Sequence, residues 1–218
     1  ADSIYMLTLQ ELGGLEASAF EKAIGGIYEK SPWIAAQTFV KGPFQSLTAL
    51  AAAMKVVVNT ATEDEQLALI QAHPDLAGKA ALAGDLTVES SSEQSRAGLS
   101  SLTAEELALF TERNDAYRSK FGFPFILAVR NARKATILNA FEPRMQNTRG
   151  QEIVAALAQV HKIAWMRLRA IVRHAPTGKL TCHVLDTCRG QPAAGMTIRL
   201  MKLVDGPSCS DESWELLG

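Results

Sequence analysis

From residue 9 to about residue 173, apolar positions recur at steps of three and four, the spacing of one face of an α-helix. The clearest stripe lies in "GQEIVAALAQVHKIAWMRLRAIV", where Ile153, Leu157, Val160, Ala164, Leu168 and Ile171 keep that rhythm. "SLTALAAAMKVVVNT" and "ARKATILNAF" predict further helices. Start signals are local. Thr62 with Glu65, and Thr103 with Glu106, each form a capping box, in which the threonine hydroxyl and the glutamate carboxylate satisfy each other's backbone N–H groups. Pro32 after Ser31 suits a first helical position, and Gly122 suits a stop. Roughly seven helices with short links predict an all-α bundle.

After "RHAPTGK" the period changes. Leu180, Cys182 and Val184 alternate with Thr181, His183 and Leu185, and "MTIRLMKL" alternates again beyond the turn-rich "RGQPAAG". That pattern predicts a β-hairpin or two sequential strands. Pro176 and Gly178 mark the boundary. The expected organisation is a helical domain over residues 1–174, a linker over 175–179 and a β segment over 180–218. A β-sandwich takes about 100 residues, so a segment of about 40 predicts an incomplete, truncated one.

Composition adds exclusions. Of 218 residues, 47% are hydrophobic and 21% charged, a globular balance. The net charge is −1 with no basic stripe, which argues against a nucleic-acid partner. No apolar run reaches the roughly 18 residues of a membrane span, and no secretory signal is visible. Cys182, Cys188 and Cys209 all lie in the last fifth, without Cys-x-x-Cys spacing, so a reducing compartment is expected. The helical half has no His/Cys/Asp cluster at metal spacing and no glycine-rich phosphate loop, so neither metal nor cofactor is expected.

Four segments carry candidate chemistry. In "AHPDLAGK", Pro74 forbids helix continuation and turns His73 out of helical register, while the helix dipole favours His73 as a cation. The bland alternative is a helix-terminal histidine with no task. "ESSSEQSRAGL" sets Ser90, Ser91 and Ser92 before Glu93 and Gln94, or is simply a solvated loop with a capped turn. In "FGFPFILAVR", Pro124 leaves backbone groups after it able to face a ligand, although Phe121, Phe123 and Phe125 equally suit a core. Arg167 flanks an apolar ridge, where a guanidinium finds an anion or reaches for solvent. Together these supply an imidazole, a carboxylate, a guanidinium and polar donors, suited to a small, polar, anionic molecule.

"SPWIA", "AHPDLAGK", "SSSEQSRAGL", "FGFPFI" and "KIAWMRLR", in that order, closely resemble the 2-oxo-4-hydroxy-4-carboxy-5-ureidoimidazoline (OHCU) decarboxylase family of urate degradation. "LTCHVLDTCRGQPAAGMTIRL" resembles the opening of the transthyretin-like 5-hydroxyisourate hydrolases. The order is that of the bifunctional fusions known as allantoin synthases. The resemblance implies catalytic roles for His73 and Glu93. It implies substrate contacts at Pro74, Ser90, Ser91, Ser92, Gln94, the backbone of Phe125, Ile126, Leu127, Ala128 and Val129, and Arg167. It places one hydrolase histidine at His183, while the other hydrolase residues have no counterpart in the chain. It implies cofactor-free decarboxylation of OHCU to (S)-allantoin, a homodimer through the helical domain, a tetramer through a complete hydrolase domain, and a bacterial cytoplasm or a eukaryotic peroxisome. The competing expectation is a helical scaffold bearing a transthyretin-like binding or assembly module, without turnover.

Overall fold

The structure is a computed structural model that describes residues 7–78, 85–130, 132–173, 185–186, 191–192, 197, 201–204 and 213–216. The chain separates into two units, Ala1–His174 and Ala175–Gly218. Among the described residues the first unit carries nine helices. They are α1 (Leu9–Gly13), α2 (Ala17–Ile24), α3 (Trp33–Phe39), α4 (Leu47–Thr60), α5 (Glu63–Gln71), α6 (Val88–Arg96), α7 (Ala104–Phe121), α8 (Lys134–Arg144) and α9 (Arg149–Ile171).

The caps act as the sequence predicts. The Thr62 hydroxyl accepts from the Glu65 N–H, and the Glu65 carboxylate accepts from the Thr62 N–H at 2.8 Å. Thr103 and Glu106 repeat this at the start of α7. That helix stops at Gly122, whose φ of +81° is readily adopted only without a Cβ, and whose N–H closes onto Arg118 O at 2.8 Å. Pro32 stands just before α3 rather than at its first residue.

Two features differ from the pattern reading. Residues 88–96, equally readable as a solvated loop, form α6, capped by the Thr87 hydroxyl. Its buried residues are Ser90 and Gln94, so its inward face is polar and leaves no apolar period to find. A two-residue strand, β1 (Leu7–Thr8), also pairs in parallel with β2 (Val172–Arg173), tying the start of the unit to the end of α9. Two residues are too short to show a period of two.

The core gathers on α9, which buries Ala156, Leu157, Val160, Ile163, Ala164 and Leu168. Beside it, Tyr117 packs against Phe121, Phe123, Phe125 and Phe141, with ring centroids 4.7–6.2 Å away. The three phenylalanines of the Phe-Gly-Phe-Pro-Phe run are therefore core.

In the second unit, β3 (Leu185–Asp186) pairs antiparallel with β4 (Gln191–Pro192), and β5 (Met201–Val204) with β6 (Ser213–Leu216). Met201–Leu203, the end of the second alternating run, thus pairs with residues of "SWEL". His183 lies outside them.

Candidate active site

His73 follows α5 immediately, after Ala72 caps it. Pro74 ends the helix, and three neighbours fix the chain beyond it. The Ala77 N–H donates to Gln94 Oε1 at 2.9 Å, the Asn114 amide donates to Leu76 O at 2.8 Å, and Arg118 grips both Asp75 carboxylate oxygens at 2.9 Å. These bonds hold Ala77 at a φ of +53°, a conformation that a residue with a Cβ enters only when its surroundings compel it.

The imidazole is buried, with 6% of its surface exposed. Its Nδ1 lies 2.9 Å from Leu69 O. A carbonyl only accepts, so Nδ1 carries the proton and Nε2 carries the lone pair. Burial pushes the His73 pKa below its ordinary value near 6.5, against the upward pull of the Leu69 carbonyl and Glu29. The helix-dipole expectation of a cationic His73 is therefore corrected: burial, which the position at a helix end does not reveal, favours the neutral ring.

Arg167 projects from α9 and is 5% exposed. Its Nε and Nη2 donate to the two oxygens of Glu93 at 2.8 and 2.9 Å. Its Nη1 donates to Glu29 Oε2 at 2.8 Å and to Gly26 O at 3.4 Å, and Nη2 also reaches Ser90 Oγ at 3.2 Å. Glu29 accepts further bonds from the Thr87 and Ser90 hydroxyls at 2.7 and 2.9 Å. Burial works against the Glu29 charge, but Arg167 and the two hydroxyls hold its carboxyl below the ordinary range. Burial likewise opposes the Arg167 charge, and the two glutamates keep it a firm cation.

A small cavity of about 30 Å³ is lined by His73, Pro74, Leu76, Ser90, Glu93, Gln94, Phe125, Ile126, Leu127, Val129, Ile163 and Arg167. It brings together most of the residues singled out from sequence. Three are placed otherwise. Ser91 and Ser92 are exposed, because helical steps of about 100° turn them away from the face that carries Ser90 and Gln94. Ala128 spends its N–H on Gln159 Oε1 at 3.1 Å. Glu93 makes its hydrogen bonds to Arg167 and makes none to His73 among the described residues.

The 125–129 segment is anchored from behind. Arg144 donates to Ile126 O at 2.7 Å and to Glu152 at 2.6 Å, and Glu152, fully buried, also accepts from Tyr117 and from Asn147.

Sequence reasoning missed Glu29. It sits in "GGIYEKSP", which reads as an ordinary polar turn, and only closure of the bundle brings it to Arg167.

Around one pocket the helical fold gathers a histidine, a carboxylate and a paired arginine, groups chemically suited to acid–base work on a small anion. The sequence profile described as OHCU decarboxylase matches residues 14–169. A curated 2-oxo-4-hydroxy-4-carboxy-5-ureidoimidazoline decarboxylase of Halalkalicoccus jeotgali is 40% identical over 165 residues, 76% of this chain and 92% of that protein. The "Uric acid degradation bifunctional protein" of Bacillus sp. (strain TB-90) is 37% identical over 178 residues, 82% of this chain and 35% of that protein. A solved (S)-allantoin synthase superposes with a TM-score of 0.77 at 40% identity, covering 97% of this chain and 70% of that one. The chain belongs to the OHCU decarboxylase family.

Proposed function

We propose that the first unit decarboxylates OHCU to (S)-allantoin in urate degradation, with His73 as the principal acid–base group. The observation that carries this reading is the buried His73, held by Leu69 as the Nδ1–H tautomer in one pocket with Glu93 and Arg167. The substrate carries a hydroxyl and a carboxylate on one carbon, beside a ring C=N. The carbon–carboxylate bond breaks, and its electron pair forms a double bond to the neighbouring ring carbon. The C=N pair moves to nitrogen, which takes a proton, and CO2 leaves. The hydroxyl then loses its proton as the neighbouring carbon gains one, giving the carbonyl of allantoin. The ring C=N is the electron sink, so the chain needs to supply binding and proton transfer. Nε2 of His73 serves that transfer, Arg167 suits the carboxylate, and backbone N–H groups around residues 125–129 suit ring oxygens.

A scaffold without turnover has no use for an arginine and two glutamates gathered around a buried imidazole. Substituting His73→Asn separates the two readings. Turnover of freshly generated OHCU falls by at least about 100-fold if the imidazole carries protons, at an unchanged melting temperature. Near-normal turnover removes the assignment.

For the second unit, residues 180–218 read as the opening of a transthyretin-like hydrolase, with His183 as its histidine. The 97% coverage of this chain by the (S)-allantoin synthase match supports that reading. Supplying 5-hydroxyisourate alone reads any hydrolase activity separately. Assembly as a homodimer through the helical unit follows from the family resemblance, and gel filtration measures it. Among the described residues no helix is long and apolar enough to cross a membrane. The compartment read from the sequence is cytoplasm or peroxisome.

A further inference from the structure

The Arg167 guanidinium has five N–H donors, and the structure accounts for all of them. Two go to Glu93, one to Glu29, one to Ser90 Oγ and one to Gly26 O. An incoming carboxylate therefore finds no free donor on the arginine and must displace one acceptor. The two glutamates are unequal in this. The Glu29 side chain is 1% exposed and is tied by Thr87 and Ser90 besides Arg167. The Glu93 side chain is 20% exposed, lines the pocket, and holds nothing but Arg167 among the described residues. Glu93 also grips the arginine through both oxygens, side-on, the same geometry a substrate carboxylate uses on a guanidinium.

We propose that Glu93 occupies the substrate carboxylate's place on Arg167 in the empty site and is exchanged for it on binding, while Glu29 is a positioning residue that keeps the arginine fixed through the exchange. The inference rests on the reading of Arg167 as the carboxylate's partner. The cavity of about 30 Å³ fits it, because that space admits a water or two but not a ring acid while the pair is closed. Charge fits as well. Glu29, Arg167 and Glu93 together leave one negative charge in the pocket, which repels an anion approaching while both glutamates stay in place. Exchange gives the arriving carboxylate the cation, which offsets its charge. The released Glu93 is then free to accept from the substrate hydroxyl, next to His73. Binding of the correct anion thus assembles the reactive arrangement, and a neutral ring of the same shape leaves Glu93 on Arg167.

The test is a calorimetric titration of the whole chain, its E93Q variant and its E29Q variant with two unreactive probes, hydantoin-5-acetate (anionic) and hydantoin (neutral). E93Q removes the competing charge from an accessible position. It should bind hydantoin-5-acetate at least about tenfold more tightly than the parent chain, with hydantoin affinity unchanged. E29Q should show no such gain. Equal or weaker anion binding by E93Q overturns the exchange, and a gain in E29Q equal to that in E93Q overturns the assignment of fixed and moving partners. If E29Q does not fold, its melting curve shows it, and the E93Q comparison still decides the exchange. The titration needs no turnover, so it stands apart from the decarboxylase reading. A chain that turns over no OHCU can still show the anion-selective gain, and a working decarboxylase can lack it.

Discussion

The role proposed for His73 rests on three local facts. Pro74 ends α5, Leu69 O fixes the tautomer at 2.9 Å, and burial keeps the ring neutral. The pH dependence follows from the direction of that shift. The free-enzyme pKa lies below 6.5, so the acid limb of kcat/KM falls below pH 6.5, and an acid limb at or above 6.5 contradicts the buried neutral base. The same depressed value means that this group's contribution to stability is present above about pH 6.5 and is lost as pH falls through the folded value. His73, Glu93 and Arg167 were legible in the sequence because each sits in a distinctive run. Their partner Glu29 was not, because it is one of 23 acidic residues and distant in the chain. The charge of His73 was misread for a related reason: a helix end is visible in sequence, and burial is not.

Among the elements, α6 and the 125–129 segment form two walls of the pocket, and polar contacts hold both. α6 was hard to read because the face it buries is serine and glutamine. α7 and α9 were easy, through a capping box with a glycine stop in one and a long apolar stripe in the other. The pocket face of the 125–129 segment depends on Arg144, which joins Ile126 O to the buried Glu152. Replacing Arg144 with Met leaves Glu152 without its cation. Global stability should fall by about 3 kcal/mol or more, seen as a lower urea midpoint. A loss under about 1 kcal/mol means that Tyr117 and Asn147 alone satisfy Glu152.

At the scale of the molecule, every residue lining the candidate pocket, and Glu29 behind it, belongs to Ala1–His174. A chain ending at His174 keeps β2 and should decarboxylate with kcat within about twofold of the whole chain, since a unit with its own core can fold alone. A large loss of kcat in a folded truncation makes the second unit part of the site. The helical class of the first unit and the change of period near residue 175 were both legible. The β1–β2 pairing was not, because it joins residues 7–8 to residues 172–173 through two-residue strands.

The most direct test of the central claim is the handedness of the allantoin formed. OHCU generated in place and followed by circular dichroism should give (S)-allantoin, at a rate that rises with the amount of chain and returns to the spontaneous rate with His73→Asn. A racemic product appearing at the spontaneous rate in the presence of the unaltered chain contradicts the account.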